Sequence, residues 1–402
     1  MKPFESPAPD ARTPHLEARR NLKMARSAHA YVRGNTIRFY EWLDTISAKR
    51  IPVGPPVWIC GDCHVGNLGP VGSVEGDVEI EIRDLDQTVI GNPIHDLIRL
   101  GLSLATAARG SDLPGVVTAR IIEALMEGYE AAIDINVDDD AQPVAAPDVV
   151  KFTMKRALGR RWRNLAEERI EDSDAAVLRG PKFWMLSDVE RQEVTALFEQ
   201  DEVRSLITRL NSRPDDAQIK VVDSAYWIKG CSSLGRLRYS VLLKVGEKGD
   251  RQLCLVDIKE ALRAAAPRAR NISMPKDNAK RVVTGAMNLS PYLGERMLPA
   301  RIQDTPVFIR ELLPQDLKLD IDTLTPAEAR KSARYLAWVV GKAHARQMDT
   351  STRKAWLAEL ARNRSESLDA PTWLWRSVVE LVASHEAGYL DHCRLYALTS
   401  VT

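Results

Sequence analysis

The chain of 402 residues has no uninterrupted apolar run of about 18 residues, the length that a transmembrane helix requires. Its first segment, MKPFESPAPDARTPHLEARR, lacks the apolar core of a signal peptide, so we expect no export signal. Five cysteines, an odd number, do not suit a disulfide framework and favour a reducing cytoplasm. The net charge is only +1, so no global charge attracts nucleic acid or an anionic membrane. We therefore expect a cytoplasmic protein without a membrane or nucleic-acid partner.

What is present is ordinary for a globular protein: 45% hydrophobic and 28% charged residues, in a chain long enough for two lobes. The Pro-rich start predicts a flexible arm over residues 1–15. Helical spacing of apolar residues dominates residues 16–217, strand patterns dominate residues 218–325, and helical spacing returns in residues 326–402. The sequence thus predicts an α+β protein with a mainly helical lobe and a small antiparallel-sheet lobe.

Individual elements follow from the same periodicities. Helices are predicted at residues 15–46, 96–108, 115–133, 151–168, 191–210, 279–289, 326–347, 353–361 and 371–396. Strands are predicted at residues 57–60, 77–82, 219–223, 238–243, 252–259 and 307–313. In the strand at 252–259, Cys254, Val256 and Ile258 share one face and Lys259 lies on the other.

An acidic loop follows the first of these strands. Its sequence is GDCHVGN at residues 61–67, and the second strand runs into DLD at residues 84–86. Two strands that end in acidic groups, with Asn67 five residues after Asp62, can converge on a divalent cation and a phosphate. Kinase-type phosphoryl transfer needs this set, because one Asp accepts a hydroxyl proton while an Asn and an Asp hold Mg²⁺.

A glycine-bracketed turn, GCSSLG at residues 230–235, joins two predicted strands. Its backbone N–H groups can cover phosphates as kinase Gly-rich loops do, although most such hairpins are only hairpins. The turn lacks the Gly-Lys-Ser/Thr ending of a P-loop, so a P-loop NTPase is not expected. Lys259 ends the following strand and can pair with the α- and β-phosphates; in isolation it would be interpreted as a surface residue.

The segments GDCHVGNLG and IRDLDQTVIGNPIHDLIRL together resemble the catalytic loop and metal-binding segment of the aminoglycoside phosphotransferase and choline kinase group, within the protein-kinase-like fold. Over most of its length the chain is more similar to a bacterial family known only as a domain of unknown function, with AYVRG-like, GDxHxxN and DxD segments. The resemblance implies ATP and Mg²⁺ as cofactors. It makes Asp62 the catalytic base, with His64 bracing the metal site. It makes Asn67 and Asp84 metal ligands and Asp86 a second-metal or structural carboxylate.

The resemblance also assigns nucleotide-binding residues in the sheet lobe: Gly230, Ser232, Ser233, Gly235, Lys259, Glu311 and Leu313. The turn would cover the phosphates, Lys259 would be the nucleotide lysine, and the segment from Glu311 to Leu313 would be the hinge that receives adenine through its backbone. The catalytic loop precedes the turn along the chain, which reverses the kinase order. This order implies a circularly permuted kinase-like fold, a rearrangement that proteins tolerate when their termini lie close together.

Two features depart from the pattern of the family. A kinase pairs its lysine with a Glu on a nearby helix, but the helix at 279–289 offers none, and Asp277, Glu260 or Glu295 would have to substitute. The loop also has Cys-Gly-Asp where phosphotransferases usually have His-Gly-Asp.

The expected function is ATP- and Mg²⁺-dependent phosphotransfer to an unknown hydroxyl acceptor, with adenylyl transfer compatible with the same side chains. The missing helix Glu leaves open a non-catalytic, pseudokinase-like nucleotide-binding module. A metal-dependent phosphohydrolase that uses the acidic loop is a further alternative. Arg33 and the basic stretch at 151–163 hint at an anionic small-molecule or protein acceptor, although such a stretch is usually a solvated face.

Overall fold

A computed structural model describes residues 6–47, 50–134, 144–171, 176–177, 179–210, 213–231, 233–246, 252–319, 325–362 and 370–396. The α-helices in these residues are α1 Arg12–Met24, α2 Ala28–Gly34, α3 Thr36–Thr45, α4 Ile94–Gly110, α5 Gly115–Ile133, α6 Asp148–Gly159, α7 Trp162–Glu167, α8 Asp188–Leu197, α9 Asp201–Thr208, α10 Asn278–Leu289, α11 Pro291–Gly294, α12 Pro326–Ala345, α13 Thr350–Arg362 and α14 Thr372–Tyr396. The strands are β1 Val57–Ile59, β2 Leu68–Gly72, β3 Val78–Ile82, β4 Val89–Gly91, β5 Ile170–Glu171, β6 Ala176–Val177, β7 Phe183–Trp184, β8 Ile219–Trp227, β9 Arg238–Val245, β10 Gln252–Glu260, β11 Met297–Ile302 and β12 Thr305–Leu312.

Strands β7 to β12 form one antiparallel sheet in the order β11-β12-β10-β9-β8-β7. The alternation predicted for β10 is confirmed. Cys254, Val256 and Ile258 pack in a buried cluster with residues of α8 and α9 on one side of the sheet. Asp257 and Lys259 lie on the opposite side, which faces the acidic loop. The mixed α+β architecture with antiparallel sheets is therefore as the sequence predicts.

The larger hydrophobic core lies among the helices. Long helices α5 and α12 pack against each other and against α4, and α14 covers α4 from another side. Helix α12 begins with a capping box in which the Thr325 side chain accepts a hydrogen bond from the Glu328 amide, and Pro326 occupies the first turn. No helix among the described residues is long and apolar enough to cross a membrane.

Two predicted helices are divided. The stretch at 15–46 forms α1, α2 and α3, because the side chains of Ser27 and Asn35 accept hydrogen bonds from backbone amides and start new helices. The basic stretch at 151–168 divides at Arg160, whose extended backbone ends α6. Strand β11, which contains a proline, has no counterpart in the prediction.

The sheet draws packing partners from before residue 218, earlier than the predicted boundary between the lobes. Strand β7 pairs with β8, and helices α8 and α9 pack on the outer face of the sheet together with Leu16. Helix α1 begins at Arg12, so part of the segment predicted as a flexible arm is helical. Arg12 is buried and forms an ion pair with Glu190 of α8 at 2.5 Å.

Glu81, on β3, is a buried acidic residue whose titration should be visible in the stability of the protein. Its carboxylate accepts long hydrogen bonds from the amides of Tyr292 (3.4 Å) and Leu293 (3.3 Å) at the start of α11. Burial raises its pKa from 4.5 to about 7 despite these bonds and nearby Arg346. Because the folded state binds this proton more tightly than the unfolded state, the Glu81 contribution to stability falls as the pH rises from about 4.5 to about 7.

We expect Glu81→Gln to remove this dependence, so that the wild type loses about 2 kcal/mol relative to the variant across that pH range. Urea unfolding of both proteins at either end of the range measures the difference. Glu79→Gln, on the same strand with its side chain 44% exposed, is the matched control and should leave the dependence in place. Equal pH dependence in wild type and Glu81→Gln would contradict the assignment.

Candidate functional site

The acidic loop after β1 is held in place by Asp96 in the first turn of α4. The Asp96 carboxylate accepts hydrogen bonds from the amides of Cys60 (2.7 Å) and Gly61 (2.9 Å). Gly61 has φ of 74°, and a Cβ at this position would lie 2.2 Å from the backbone oxygen of Gln87. A glycine at position 61 and a hydrogen-bond acceptor at position 96 thus fix the backbone conformation that positions Asp62.

Asp96 is in turn fixed by the C-terminal helices. His344 near the end of α12 lies with Nε2 3.2 Å from Asp96 Oδ2 and with Nδ1 3.2 Å from the hydroxyl of Tyr129. Trp356 of α13 donates its indole N–H to the same hydroxyl at 3.2 Å. All four side chains are buried. A continuous chain of polar contacts therefore connects α13, α5 and α12 to the acidic loop.

Asp62 is buried and forms an ion pair with Arg99 of α4, whose Nε donates to Asp62 Oδ1 at 2.9 Å. Arg99 also donates from Nη2 to the Val32 carbonyl at 2.6 Å. Burial raises the pKa of Asp62, and the charge of Arg99 works against that shift. Asn67 donates from Nδ2 to the backbone carbonyl of Asp62 at 3.0 Å, so its amide oxygen is the atom that remains for a ligand.

His64 lies beside Asp62, with Nε2 3.9 Å from Asp62 Oδ2. Burial and the positive charges of Arg33 and Arg99 lower the pKa of His64 well below its usual value. The imidazole is therefore neutral at physiological pH. Its Nδ1 is buried without a hydrogen-bond partner among the described residues.

Lys259, on the inner face of β10, reaches the acidic segment that follows β3. Its Nζ lies 3.3 Å from Asp84 Oδ1 and forms a second ion pair with Asp86. Burial raises the pKa of Asp84, but the Lys259 ammonium, a hydrogen bond with Asp86 and nearby arginines together outweigh burial and hold that pKa well below the usual range. Burial and the charge of Asp84 raise the pKa of Asp86 to about 6. Two segments 175 residues apart in the sequence thus form one charged cluster.

The glycine-bracketed turn connects β8 to β9. Gly230 and Gly235 have φ of 85° and 90°, a region that favours glycine. The Ser233 hydroxyl closes the turn by donating to a backbone carbonyl at 2.9 Å. Gly230 and Ser233 line the cavity described below, whereas Gly235 packs near α1. Ser232 lies outside the described residues.

The predicted hinge makes contacts within the protein. The Glu311 side chain forms a bidentate ion pair with Arg213 at 2.6 and 2.7 Å, and its backbone carbonyl accepts from Arg296 at 2.8 Å. The Leu313 amide lies 3.4 Å from the carboxylate of Asp316, and the Leu313 carbonyl accepts from the amide of that residue at 3.1 Å. Neither Glu311 nor Leu313 lines the cavity. Adenine binding by this segment stays a prediction that these contacts do not favour.

The acidic loop, the turn and the inner face of the sheet surround one cavity of about 710 Å³, a size typical of small-molecule sites. The predicted site residues on its wall are His64, Asn67, Asp84, Gly230 and Ser233. Asp62, Asp86 and Lys259 lie behind this wall and contact the residues that form it. The lining is strongly basic among the described residues, with Asp84 and Glu168 opposed by nine cations: Lys23, Arg33, Arg83, Arg169, Lys182, Lys229, Arg238, Arg310 and Lys318.

Arg33, for which the sequence suggested an anionic partner, is part of this lining. It packs so closely on the acidic loop that a Cβ at Gly66 would lie 2.7 Å from the guanidinium carbon of Arg33. The basic stretch at 151–163 does not line the cavity; the side chains of Lys151 and Arg163 are 63% and 86% exposed. That stretch is mainly a solvated surface.

The sequence did not single out several positively charged residues in and around the cavity. Arg99 had a visible signal, since it is a single charge within the apolar segment LIRLGLSL. Lys318 had none, because only folding brings it next to Arg33 and Arg83, and burial with these charges lowers its pKa to about 8. Lys229 had no such signal either, because it lies two residues after β8 in an ordinary turn.

None of the proposed substitutes for the helix Glu contacts Lys259. Asp277 caps α10 and pairs with Arg301, while the carboxylates of Glu260 and Glu295 accept hydrogen bonds from backbone amides elsewhere. Helix α10 instead contributes a cation, Arg281, which donates to the backbone carbonyl of residue 86 at 3.0 Å. The acidic partners of Lys259 come from the segment after β3.

The oxygen atoms of Asn67, Asp84 and Asp86 form a donor set of the kind that Mg²⁺ prefers. Oδ1 of Asp86 is buried without a hydrogen-bond partner among the described residues. Among all the residues that the structure describes, no three His, Cys, Asp or Glu side chains converge at metal-binding distances. The set therefore fits a cation that completes its shell with substrate oxygens better than one held by the protein alone.

Comparison with known proteins gives a family and no further relatives. The model of a family described as an uncharacterized protein conserved in bacteria (DUF2252) matches residues 12–395. No curated protein and no solved structure matches the chain. The chain therefore belongs to this bacterial family.

Proposed function

We propose that this member of the bacterial family is an ATP- and Mg²⁺-dependent phosphotransferase with a circularly permuted, kinase-like fold, acting on a hydroxyl acceptor. The observation that carries the proposal is the contact of Lys259 Nζ with Asp84 Oδ1 at 3.3 Å. These are the nucleotide lysine and the metal-binding Asp that the resemblance implies. They meet at a basic cavity although they come from opposite lobes.

The order of parts in the sheet lobe supports the same proposal. Strand β8, the glycine-bracketed turn, β9 and β10 follow one another, and Lys259 lies on the third of these strands. A kinase carries its Gly-rich loop and its lysine in this arrangement. Helix α12, which comes near the end of the chain, contacts through His344 the Asp96 carboxylate that holds the acidic loop. This contact suits a permuted chain, in which a C-terminal helix supports a catalytic loop that lies near the N-terminus.

In the proposed mechanism Asp62 accepts the proton of the acceptor hydroxyl. Its raised pKa makes it a stronger base than an exposed carboxylate, and Arg99 holds its orientation. His64, being neutral, adds no charge beside the base. Asp62 would act after a small rearrangement of the wall, because its side chain is only 11% exposed.

Asn67, Asp84 and Asp86 would hold Mg²⁺, which when bound neutralises charge on the phosphate oxygens. Lys259 would hold the α- and β-phosphates in place of one of its present carboxylate partners. Arg33, Lys318 and the turn at Gly230 line the same cavity and contribute further positive charge and backbone donors. Most of the rate enhancement would come from positioning and charge stabilisation.

Calorimetric titration with ATP, with and without Mg²⁺, tests the proposal. We expect Mg²⁺-dependent binding by the wild type, weakened at least about tenfold in both Lys259→Ala and Asp84→Ala, because each removes a charged contact to the phosphates or the metal. Lys220→Ala and Asp77→Ala are matched controls, since both residues are exposed and lie outside the cavity. Failure of the wild type to bind ATP would refute the proposed function.

A non-catalytic nucleotide-binding module is the second candidate, favoured by one specific observation. The Asp62 carboxylate is buried against Arg99, and Asp62 does not line the cavity. Such a module would bind Mg²⁺ and ATP in the titration above and form no ADP. Measurement of ADP formation with the protein in excess over ATP distinguishes the two candidates.

A further inference from the structure

A group of cations lies at the end of the cavity formed by the base of the β8–β9 hairpin. It consists of Arg169, Lys229, Arg238 and Arg310, gathered around Trp227, and is called here the sheet-side cluster. All five residues line the cavity. Arg310 donates to the backbone carbonyl of Arg83, next to Asp84, at 3.2 Å, so the cluster borders the acidic segment. The proposed mechanism gives none of these four cations a role, so their presence needs an explanation of its own.

Trp227 holds three of the cations together. The Lys229 Nζ lies 4.2 Å from the ring centroid, and the guanidinium carbons of Arg238 and Arg169 lie 4.6 and 4.9 Å from it. The Phe183 ring stacks on the same indole, with 5.7 Å between the ring centroids and an interplanar angle of 18°. The indole ring is therefore occupied by cations and by Phe183, which leaves little of it as a platform for a nucleobase. Its electron-rich face offsets part of the repulsion among the cations.

The carboxylates near the cluster do not balance its charge. Asp257 is shared between Arg238, at 2.6 Å, and Arg310, at 3.2 Å. Glu168 lies 3.8 Å from Arg169 but pairs more closely with Arg160, at 2.8 Å.

The fourth cation, Lys229, shares Asp257 only at longer range, because that carboxylate is already paired with Arg238 and Arg310. No carboxylate lies within ion-pair distance of Lys229 among the described residues. Burial and the charge of Arg238 lower the pKa of Lys229 well below its usual value. A positive excess in a half-buried site is unfavourable unless a ligand supplies negative charge.

Two donor atoms on side chains that line the cavity are unsatisfied among the described residues. Nη1 of Arg169 and Nε of Arg310 are buried without hydrogen-bond partners in the part of the chain that the structure describes. Guanidinium and ammonium groups that converge on one space match the oxygens of a phosphate, which accepts several hydrogen bonds at once. A single carboxylate would satisfy fewer of these donors.

We propose that the sheet-side cluster is a second anion subsite, which binds the phosphate group of a phosphomonoester or polyphosphate on the wall of the cavity that the sheet forms beside Asp84. The phosphate has two possible sources: the second substrate, or the distal phosphates of a nucleotide whose α-phosphate lies at the acidic loop. Only the choice between these sources rests on the proposed function. Binding of phosphate itself follows from the cluster.

Inorganic pyrophosphate, titrated calorimetrically at low salt without Mg²⁺ or nucleotide, tests the subsite. We expect binding by the wild type and affinities at least about tenfold lower in Lys229→Gln and in Arg169→Gln, because each variant removes one charged contact. Lys220→Gln is the control, since Lys220 lies exposed on the same strand that precedes Lys229. Thermal unfolding of each variant verifies that it is folded. Unchanged affinity in both variants, with binding lost instead in Arg33→Gln, would overturn the proposal.

Repeating the titration with saturating Mg²⁺ and a non-hydrolysable ATP analogue identifies the source. Pyrophosphate that still binds through Lys229 indicates a phosphorylated second substrate. Pyrophosphate that the analogue displaces indicates that the nucleotide places its own distal phosphates in the cluster, as adenylyl transfer would require. Binding of pyrophosphate through Lys229 in a protein that does not bind ATP would support the subsite and refute the proposed function, so the two ideas can fail separately.

Discussion

Asp62→Asn is expected to bind Mg²⁺ and ATP with nearly the affinity of the wild type and to lose phosphoryl transfer by a factor of about 10² to 10⁴, the usual contribution of a general base. The Asn side chain retains an oxygen that can accept from Arg99, now at 2.9 Å from Asp62, but it cannot take a proton. ADP formation under single-turnover conditions, with the protein in excess, measures the loss. This measurement does not require the acceptor to be known. We expect slow phosphoryl transfer to water, and the proposed mechanism assigns the same base to that reaction.

The control for Asp62→Asn is Asp77→Asn, in the exposed turn between β2 and β3. It should leave both binding and turnover unchanged. Removing the charge of Asp62 also leaves Arg99 without its carboxylate, which lowers stability, so ATP binding and the unfolding temperature must be measured on the same preparation. A folded Asp62→Asn protein with full turnover would show that another group is the base.

Asp96→Ala is expected to lower the free energy of unfolding by about 3–5 kcal/mol, a large part of the stability of an ordinary protein. The change removes the acceptor of two backbone amides, at Cys60 and Gly61, and of the contact with His344. These groups are buried and cannot recover their hydrogen bonds from water. Urea unfolding followed by tryptophan fluorescence gives the difference.

Asp112→Ala is a suitable comparison for Asp96→Ala, because Asp112 lies just after the opposite end of the same helix and its side chain makes no ion pair among those found in the described residues. Its positive φ of 54° makes the substitution mildly unfavourable, by about 1 kcal/mol at most. If Asp96→Ala unfolds at the same urea concentration as this variant, the polar chain through Asp96 does not stabilise the acidic loop.

Secondary structure was the most predictable level. The boundaries of α5 coincide with the predicted 115–133 segment, and β8, β9, β10 and β12 lie where alternation or β-branched residues placed them. These elements were recognisable because one face of each is buried and the pattern repeats along the chain. The divided helices were not, because a single capping side chain at Ser27 or Asn35 outweighs a continuous apolar pattern.

The candidate site was only partly predictable. The acidic loop, the turn and Lys259 stood out because their residue types and spacing are unusual in an ordinary loop or strand. Arg238 and Asp257 did not, because a charged residue at a strand position is normally exposed. Here they pair across neighbouring strands at 2.6 Å and are buried.

The sequence by itself determined the α+β composition, the two faces of β10 and the group of residues at 61–67 and 84–86, since each of these depends on residues that are close along the chain. Only the tertiary structure decided which acid meets Lys259, how Asp96 supports the acidic loop, and that nine cations of the described residues share one cavity. The reason is physical: hydrogen bonds and ion pairs between distant segments depend on how the lobes pack, and no local periodicity records that packing. The positive excess around Trp227, from which the phosphate subsite is inferred, belongs wholly to this second group.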